Sequence, residues 1–152
     1  MEVKMEMKAK KAVVMLADGF EEVESITVID ILRRAGVRAD TVSVIEHRNQ
    51  IEGAHGITIY TDMELEDIDF KDYDVIILPG GMPGTDNLEA CEELCDSIVE
   101  FNNENKLLAA ICAAPKIFGR LGILNGKKAT CFPGYEEDLL GAHILVEKVV
   151  VD

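Results

Sequence analysis

Leu107-Leu-Ala-Ala-Ile-Cys-Ala-Ala-Pro115 sets one chemically reactive side chain, Cys112, between an apolar run and a string of small residues that ends in proline. An apolar run of this length reads as a buried strand, and proline at an early position starts a helix well. The arrangement is that of an elbow: a strand stops, one reactive residue follows, and small residues let a helix begin at once. A helix N-terminus stabilises a thiolate by about 1 kcal/mol, which brings a thiol from ~8.5 only into the upper sevens. The dipole alone is therefore insufficient, and a lone cysteine after an apolar strand also reads as a small packed residue.

Outward from the elbow, other apolar runs repeat the pattern. Lys11–Ala17 (KAVVMLA) predicts a buried strand, followed by a helix from about Phe20 to Ala35 closed by Gly36. A strand is expected near Asp40–Glu46, and the alternation around Ile57–Tyr60 suggests a short strand pair at a sheet edge. Asp74–Leu78 (DVIIL) reads as a second buried strand closed by Pro79-Gly80-Gly81, Thr85–Asn103 as one helix, Leu107–Ile111 as a third buried strand and Ala113–Leu121 as a helix. A strand near Lys128–Cys131, a short helix near Tyr135–Gly141 and a strand over Ile144–Val151 complete the reading. Strands alternating with helices imply an α/β fold, a mostly parallel sheet with helices on both faces, whose ligands bind at the carboxyl ends of the strands.

The chain has 152 residues, enough for one sizeable core and too few for two ordinary domains, so a single domain over 1–152 is expected. A doubly wound sheet normally ends in a helix, and ILVEKVVVD ends in an apparent strand; a final strand-loop-helix segment is expected to be lacking. A net charge of −14 repels phosphate backbones and anionic lipid, which argues against nucleic-acid and membrane partners. The opening MEVKMEMKAKK mixes charge signs and reads as neither a secretory signal nor a span, so a cytoplasmic location is expected. The four cysteines are expected to be reduced thiols. Cys91 and Cys95 sit four apart without the companions a zinc site requires, so no metal is expected.

Three strand ends are expected to converge: Asp18–Glu22 after the first strand, Pro79-Gly80-Gly81 after the second and Cys112 after the third. Glu24 shares a helical stripe with Val28, Ile31 and Ala35, which puts a carboxyl on an expected core face where it should keep its proton. A protonated Glu24 donates a hydrogen bond to a Cys112 thiolate, whereas an ionised one repels it; one proton shared by two acids is the economical state. The alternative for Glu24 is a partly solvated helix-start carboxylate like Glu21 and Glu22. Gly80 and Gly81 read as a simple turn or as a place where backbone N–H groups approach a ligand oxygen.

Taken together, ADGFEEVE, LPGG and AAICAAP, with LRRAG at Leu32–Gly36 and ATCFPGYEEDLLGA at Ala129–Ala142, resemble the ThiJ/PfpI superfamily, in particular the branch of the parkinsonism-associated deglycase and its bacterial relatives. The resemblance implies a flavodoxin-like fold, akin to the class I glutamine amidotransferases, and a homodimer. It implies Cys112 as nucleophile, Glu24 as its protonated partner, and backbone amides near Gly80, Gly81 and Ala113 as oxyanion donors. It further implies cofactor-free glyoxalase or deglycase chemistry on methylglyoxal, glyoxal or their adducts, with a stress-protective role. A non-catalytic redox sensor or chaperone working through oxidation of Cys112 is the alternative. His55 aligns loosely with an arginine that relatives place near a dimer interface and anion site, where Glu21 would also lie.

Departures from the family pattern narrow the chemistry. Phe132 stands where a histidine is often found near the nucleophile, so no imidazole acid/base carries over. Ala113 replaces the histidine that follows the nucleophile in the intracellular-protease branch, and the segment around His143 does not provide the His–Glu pair of amidotransferases. The acidic DGFEE after the first strand would repel a flavin phosphate.

Overall fold

The computed structural model describes residues 10–152, so the charge-mixed stretch over 1–9 lies outside the described residues. Five strands form one sheet: β1 (Lys11–Leu16), β2 (Arg38–Ser43), β5 (Met63–Glu64), β6 (Val75–Leu78) and β7 (Leu107–Ala110). Their order is β5-β2-β1-β6-β7, and every pairing is parallel. β3 (Gln50–Glu52) and β4 (Thr58–Tyr60) form a separate antiparallel pair, while β8 (Lys128–Ala129) and β9 (His143–Ile144) form a short parallel one. The helices are α1 (Glu22–Arg34), α2 (Gly84–Glu89), α3 (Glu92–Asn103) and α4 (Pro115–Arg120).

β1 explains why its sequence shows no polar alternation. Val13, Met15 and Ala17 face one core with Ile98 and Ile117 of the α3–α4 side; Val14 and Leu16 face another with Phe20, Ile29 and Ile51. Successive side chains point to opposite faces, so a strand covered on both sides is apolar throughout. This is the flavodoxin-like arrangement expected, with α1 on one face and α3 and α4 on the other.

Several boundaries differ from the sequence reading, each for a tertiary reason. Phe20 is a buried loop anchor whose N–H donates to the Ala17 carbonyl, so α1 starts at Glu22. Pairing of Lys11 with Arg38 through Leu16 with Ser43 sets β2 upstream of the expected Asp40–Glu46. Thr85–Asn103 is two helices, because Leu88 and Leu94, six residues apart, would lie about 120° out of phase on one continuous helix. An extended Cys91 breaks the helix and lets both be buried. α4 starts only at Pro115, with Cys112 in a left-handed conformation before it. β8 stops at Ala129, the expected helix near Tyr135 is a single 3-10 turn over Glu136–Asp138, and beyond Ile144 the chain runs without regular structure.

Two burial expectations are overturned. β7 is an edge strand, with Leu107 58% exposed, rather than a buried one, because no further strand pairs with it among the described residues. The buried face of α1 is Glu22, Ser25 and Ile29, not the stripe of Glu24, Val28, Ile31 and Ala35. Ile31 is 58% exposed, since the helix is rotated to aim Glu24 at the strand ends. Ile98, fully buried between α3 and the sheet, tests the core: Ile98→Ala is expected to lower unfolding free energy by about 2–5 kcal/mol in urea titration with an unchanged slope.

Candidate active site

Cys112 has φ +62°, a left-handed conformation that a non-glycine residue adopts at a cost of order 1 kcal/mol or more. Its neighbours over-determine it. Ile111 N–H donates to the Leu78 carbonyl as the last rung of the β6–β7 ladder, and Phe132 N–H donates to the Cys112 carbonyl at 2.8 Å. Ala113 and Ala114 are buried behind the turn, so the residue cannot relax without moving two packed loops.

Three strand ends meet at the sulfur. The Glu24 carboxyl hydrogen-bonds the Cys112 side chain, and the backbone N–H groups of Gly81 and Ala113 also bond to it. Glu24 Oε2 in turn accepts the Gly80 N–H at 2.8 Å. Gly80 has to be glycine, because a Cβ there would fall 2.6 Å from both the Cys112 Cβ and Glu24 Oε2. Gly81, at φ +93°, sits where L side chains are strained. The structure therefore brings Cys112, Glu24, Gly80, Gly81 and Ala113 into one cluster. Burial pushes the Cys112 thiol up, as do the negative charge and hydrogen bond of Glu24, while the Ala113 and Gly81 N–H groups pull it down.

Beside the sulfur opens a cavity of about 930 Å³, lined by Glu21, Glu24, Cys112, Cys131, Phe132 and the outer edge of β7. The loop after β1 forms its rim. Asp18 accepts from the Glu52 N–H at 3.0 Å and pairs with Arg48, and the Asn87 amide donates to the Asp18 carbonyl at 2.9 Å. Glu21 N–H donates to the Gly80 carbonyl at 2.9 Å, which ties the rim to the glycine pair.

On its other side this loop meets His55, which does not line the cavity. Glu22, expected as a partly solvated helix-start carboxylate, is instead 6% exposed. It accepts the His55 N–H at 2.7 Å and contacts Nδ1 at 2.8 Å; Glu21 lies 3.7 Å from the same nitrogen. Burial works against ionisation of Glu22, but the His55 side-chain and backbone hydrogen bonds prevail and hold its pKa at about 2. The same contact raises His55, with the Glu21 charge helping. Glu21, Glu22 and His55 offer three possible metal-ligand atoms within 4.8 Å of one another, although Glu22 and His55 already satisfy each other. No sequence signal announces this pairing, since 33 residues separate the partners. His47 lies in an exposed turn and His143 in β9, both outside the cluster. Cys91 and Cys95 pack against the core.

The DJ-1/PfpI family model matches residues 10–152. Among individual relatives, Protein DJ-1 homolog B of Arabidopsis thaliana is 39% identical over 147 residues, covering 96% of this chain and 33% of that protein. A Pyrococcus abyssi protein named as a deglycase is 30% identical over 144 residues, covering 93% of this chain and 85% of that one. The chain thus spans about a third of the plant relative and most of the archaeal one. Among solved structures, a DJ-1 superfamily protein from Salmonella typhimurium superposes with TM-score 0.88 at 30% identity, over 94% of this chain and 77% of that one. An oxidized Toxoplasma gondii DJ-1 gives 0.80 at 31% identity, over 86% and 71%. Among the described residues, no helix is long and apolar enough to cross a membrane.

The Glu22–His55 pair has a defined pH signature. Glu22, with its pKa lowered from 4.5, contributes stability above about pH 4.5 that is lost as pH falls. His55, raised from 6.5, contributes below about pH 6.5 and loses it as pH rises through its folded value. The melting-temperature difference between wild type and His55→Ala is therefore expected to peak between these limits and shrink on both sides; a flat difference from pH 4 to 9 would refute the pairing.

Proposed function

Because the chain belongs to the DJ-1/PfpI family, we propose that it is a cysteine-dependent enzyme of glyoxalase or deglycase type, acting on methylglyoxal, glyoxal or their adducts. The observation that supports this reading is the Cys112–Glu24 contact beneath the Gly81 and Ala113 N–H groups, open to the cavity. An archaeal relative bears the name deglycase. A carbonyl substrate needs a nucleophile, a proton carrier within hydrogen-bond reach and donors for the oxygen that becomes negative.

With the shared proton on Glu24, the Cys112 thiolate attacks the aldehyde carbon and a hemithioacetal forms as the carbonyl oxygen takes up a proton. The Gly81 and Ala113 N–H groups hold the charge that develops on that oxygen. The Glu24 carboxylate next removes the proton from the former aldehyde carbon and returns one to the neighbouring carbon, and the hemithioacetal hydroxyl proton passes to the neighbouring oxygen. This leaves a thioester at Cys112, and water releases it as lactate and restores the thiol. The steps consume one water and no oxidant, and no metal or organic cofactor enters them. Phe132, half-exposed at the cavity wall, offers no proton, so Glu24 carries every transfer. Cys112→Ser is expected to abolish lactate formation from methylglyoxal, and Glu24→Gln to lower kcat by about 10²-fold or more. Wild-type-like turnover by either variant would sink the mechanism.

In this reading the protein works as a homodimer. Val23 and Ile31 on α1, Ile57 just before β4 and Tyr60 at its end are each more than half exposed. Ile29 of α1 and Ile51 of β3 share one core, so both elements lie on the same side of the sheet, and Glu21 and His55 lie at the junction between them. Sedimentation equilibrium is expected to give twice the chain mass, and Tyr60→Glu with Val23→Glu to give the monomer. A monomeric wild type would remove this part of the proposal.

A further inference from the structure

The cavity beside Cys112 contains a second thiol, that of Cys131, which the carbonyl chemistry does not use. The hydrogen bond from Phe132 N–H to the Cys112 carbonyl fixes where that thiol stands. In a parallel ladder a carbonyl accepts from the residue that follows its opposite number. The same relation holds elsewhere in this chain: Leu145 N–H donates to the Ala129 carbonyl where Ala129 faces Ile144, and Ile111 N–H to the Leu78 carbonyl where Leu78 faces Ala110. Cys112 lies outside the ladders, but the single Phe132 bond still sets the preceding residue, Cys131, beside it. Planar peptide geometry puts the Cys131 Cα about 3.5 Å from the Cys112 oxygen, which is itself about 2.4 Å from the Cys112 Cα. The two Cα atoms are thus at most ~6 Å apart, inside the ~4.4–6.8 Å that disulfides span. Both thiols are free and half-buried.

We infer that Cys131 is the resolving thiol of Cys112, closing an intramolecular disulfide after a hydroperoxide has oxidised Cys112. The inference rests on the reactive Cys112 of the function proposed above. In the first step the Cys112 thiolate attacks one peroxide oxygen and the O–O bond breaks. Sulfur is oxidised by two electrons to the sulfenic acid, and the departing oxygen takes a proton. In the second step the Cys131 sulfur attacks the Cys112 sulfur, the S–O bond breaks, and hydroxide leaves with the Cys131 proton as water. A rotation of the Cys112 side chain away from Glu24 brings the sulfurs together, since a neutral sulfenic acid no longer needs the Gly81 and Ala113 N–H groups that hold the thiolate.

The surroundings suit the two thiols to different tasks. Burial raises both thiols, but the Cys112 sulfur has the Gly81 and Ala113 N–H groups and the Glu24 carboxyl against it, whereas Cys131 has one N–H bond from Tyr135 and the Glu136 charge nearby. Cys95 donates to the Glu89 carbonyl at 3.3 Å, and neither it nor Cys91 lines the cavity. The bridge stops the climb of Cys112 to the irreversible sulfinic acid and switches off its nucleophile until a dithiol reductant reopens it.

The test treats wild type with a several-fold molar excess of hydrogen peroxide, enough for two successive oxidations of one thiol, alkylates free thiols and maps peptides without reduction. The expected product is a Cys112–Cys131 linked peptide with loss of both alkylatable thiols, restored by dithiothreitol, while Cys131→Ser yields sulfinic acid at Cys112 instead. Wild-type Cys112 reaching the sulfinic state with Cys131 still alkylatable would overturn the inference and leave Cys112 reactivity intact, as would a link to Cys91 or Cys95. An unmodified Cys112 would overturn both the inference and its premise. Lactate formation is read separately, so a failed carbonyl reaction does not mimic any of these results.

Discussion

The double-sided burial of β1 is the constraint on which everything at the strand ends depends. Val13 and Met15 bind it to the helices of one face, Val14 and Leu16 to α1 on the other, so the strand has no freedom to slide or turn. Parallel pairing with β6, and of β6 with β7, then carries that rigidity two strands across. The loops that follow these strands emerge side by side, and their side chains meet because the sheet beneath them does not move.

Glu24 illustrates what this rigidity provides. Its helix is placed by packing of Ile29 and by the contact of buried Glu22 with His55, and the carboxyl then points at the Gly80 N–H and the Cys112 sulfur. A set of ion pairs anchored on one buried lysine holds the opposite wall. Lys116 on α4, 4% exposed, pairs with Asp86 and with Glu89 at 3.2 Å, and Arg120 joins Glu89 to Asp138 at 2.9 Å. These pairs tie α2, which follows Gly81, to α4, which follows Ala113. Lys116 is the buried member, and an ammonium left buried without its carboxylates is costly, so α2 and α4 stay joined through it. The electrostatics of the site and its mechanical support thus come from different residues.

The cavity and the edge of β7 extend the same logic to solvent access. An edge strand with half-exposed Leu108, Ala109 and Ala110 forms one wall, and the β8 segment with Cys131 and Phe132 forms the other. The sulfur at their junction is half-buried, shielded enough for hydrogen bonds to matter and open enough to meet a small molecule. Reactive carbonyls and peroxides are both of that size, and both demand a thiolate.

By itself the amino-acid sequence determined the fold class and that the ends of β1, β6 and β7 converge beside Cys112. Continuous apolar runs at Lys11–Ala17 and Asp74–Leu78 require a sheet covered on both faces, and a cysteine between an apolar run and Ala-Ala-Pro requires a strand-to-helix turn; both are local consequences of period and sterics. Which way α1 faces was not legible, because its apolar residues surround the helix and only packing selects Ile29 over Ile31. The break at Cys91, the edge position of β7 and the unpaired end beyond Ile144 were likewise decided by which partners lie alongside. Only tertiary structure brought Glu22 to His55 and the Phe132 N–H to the Cys112 carbonyl, since contacts between such distant residues leave no periodic trace in the chain.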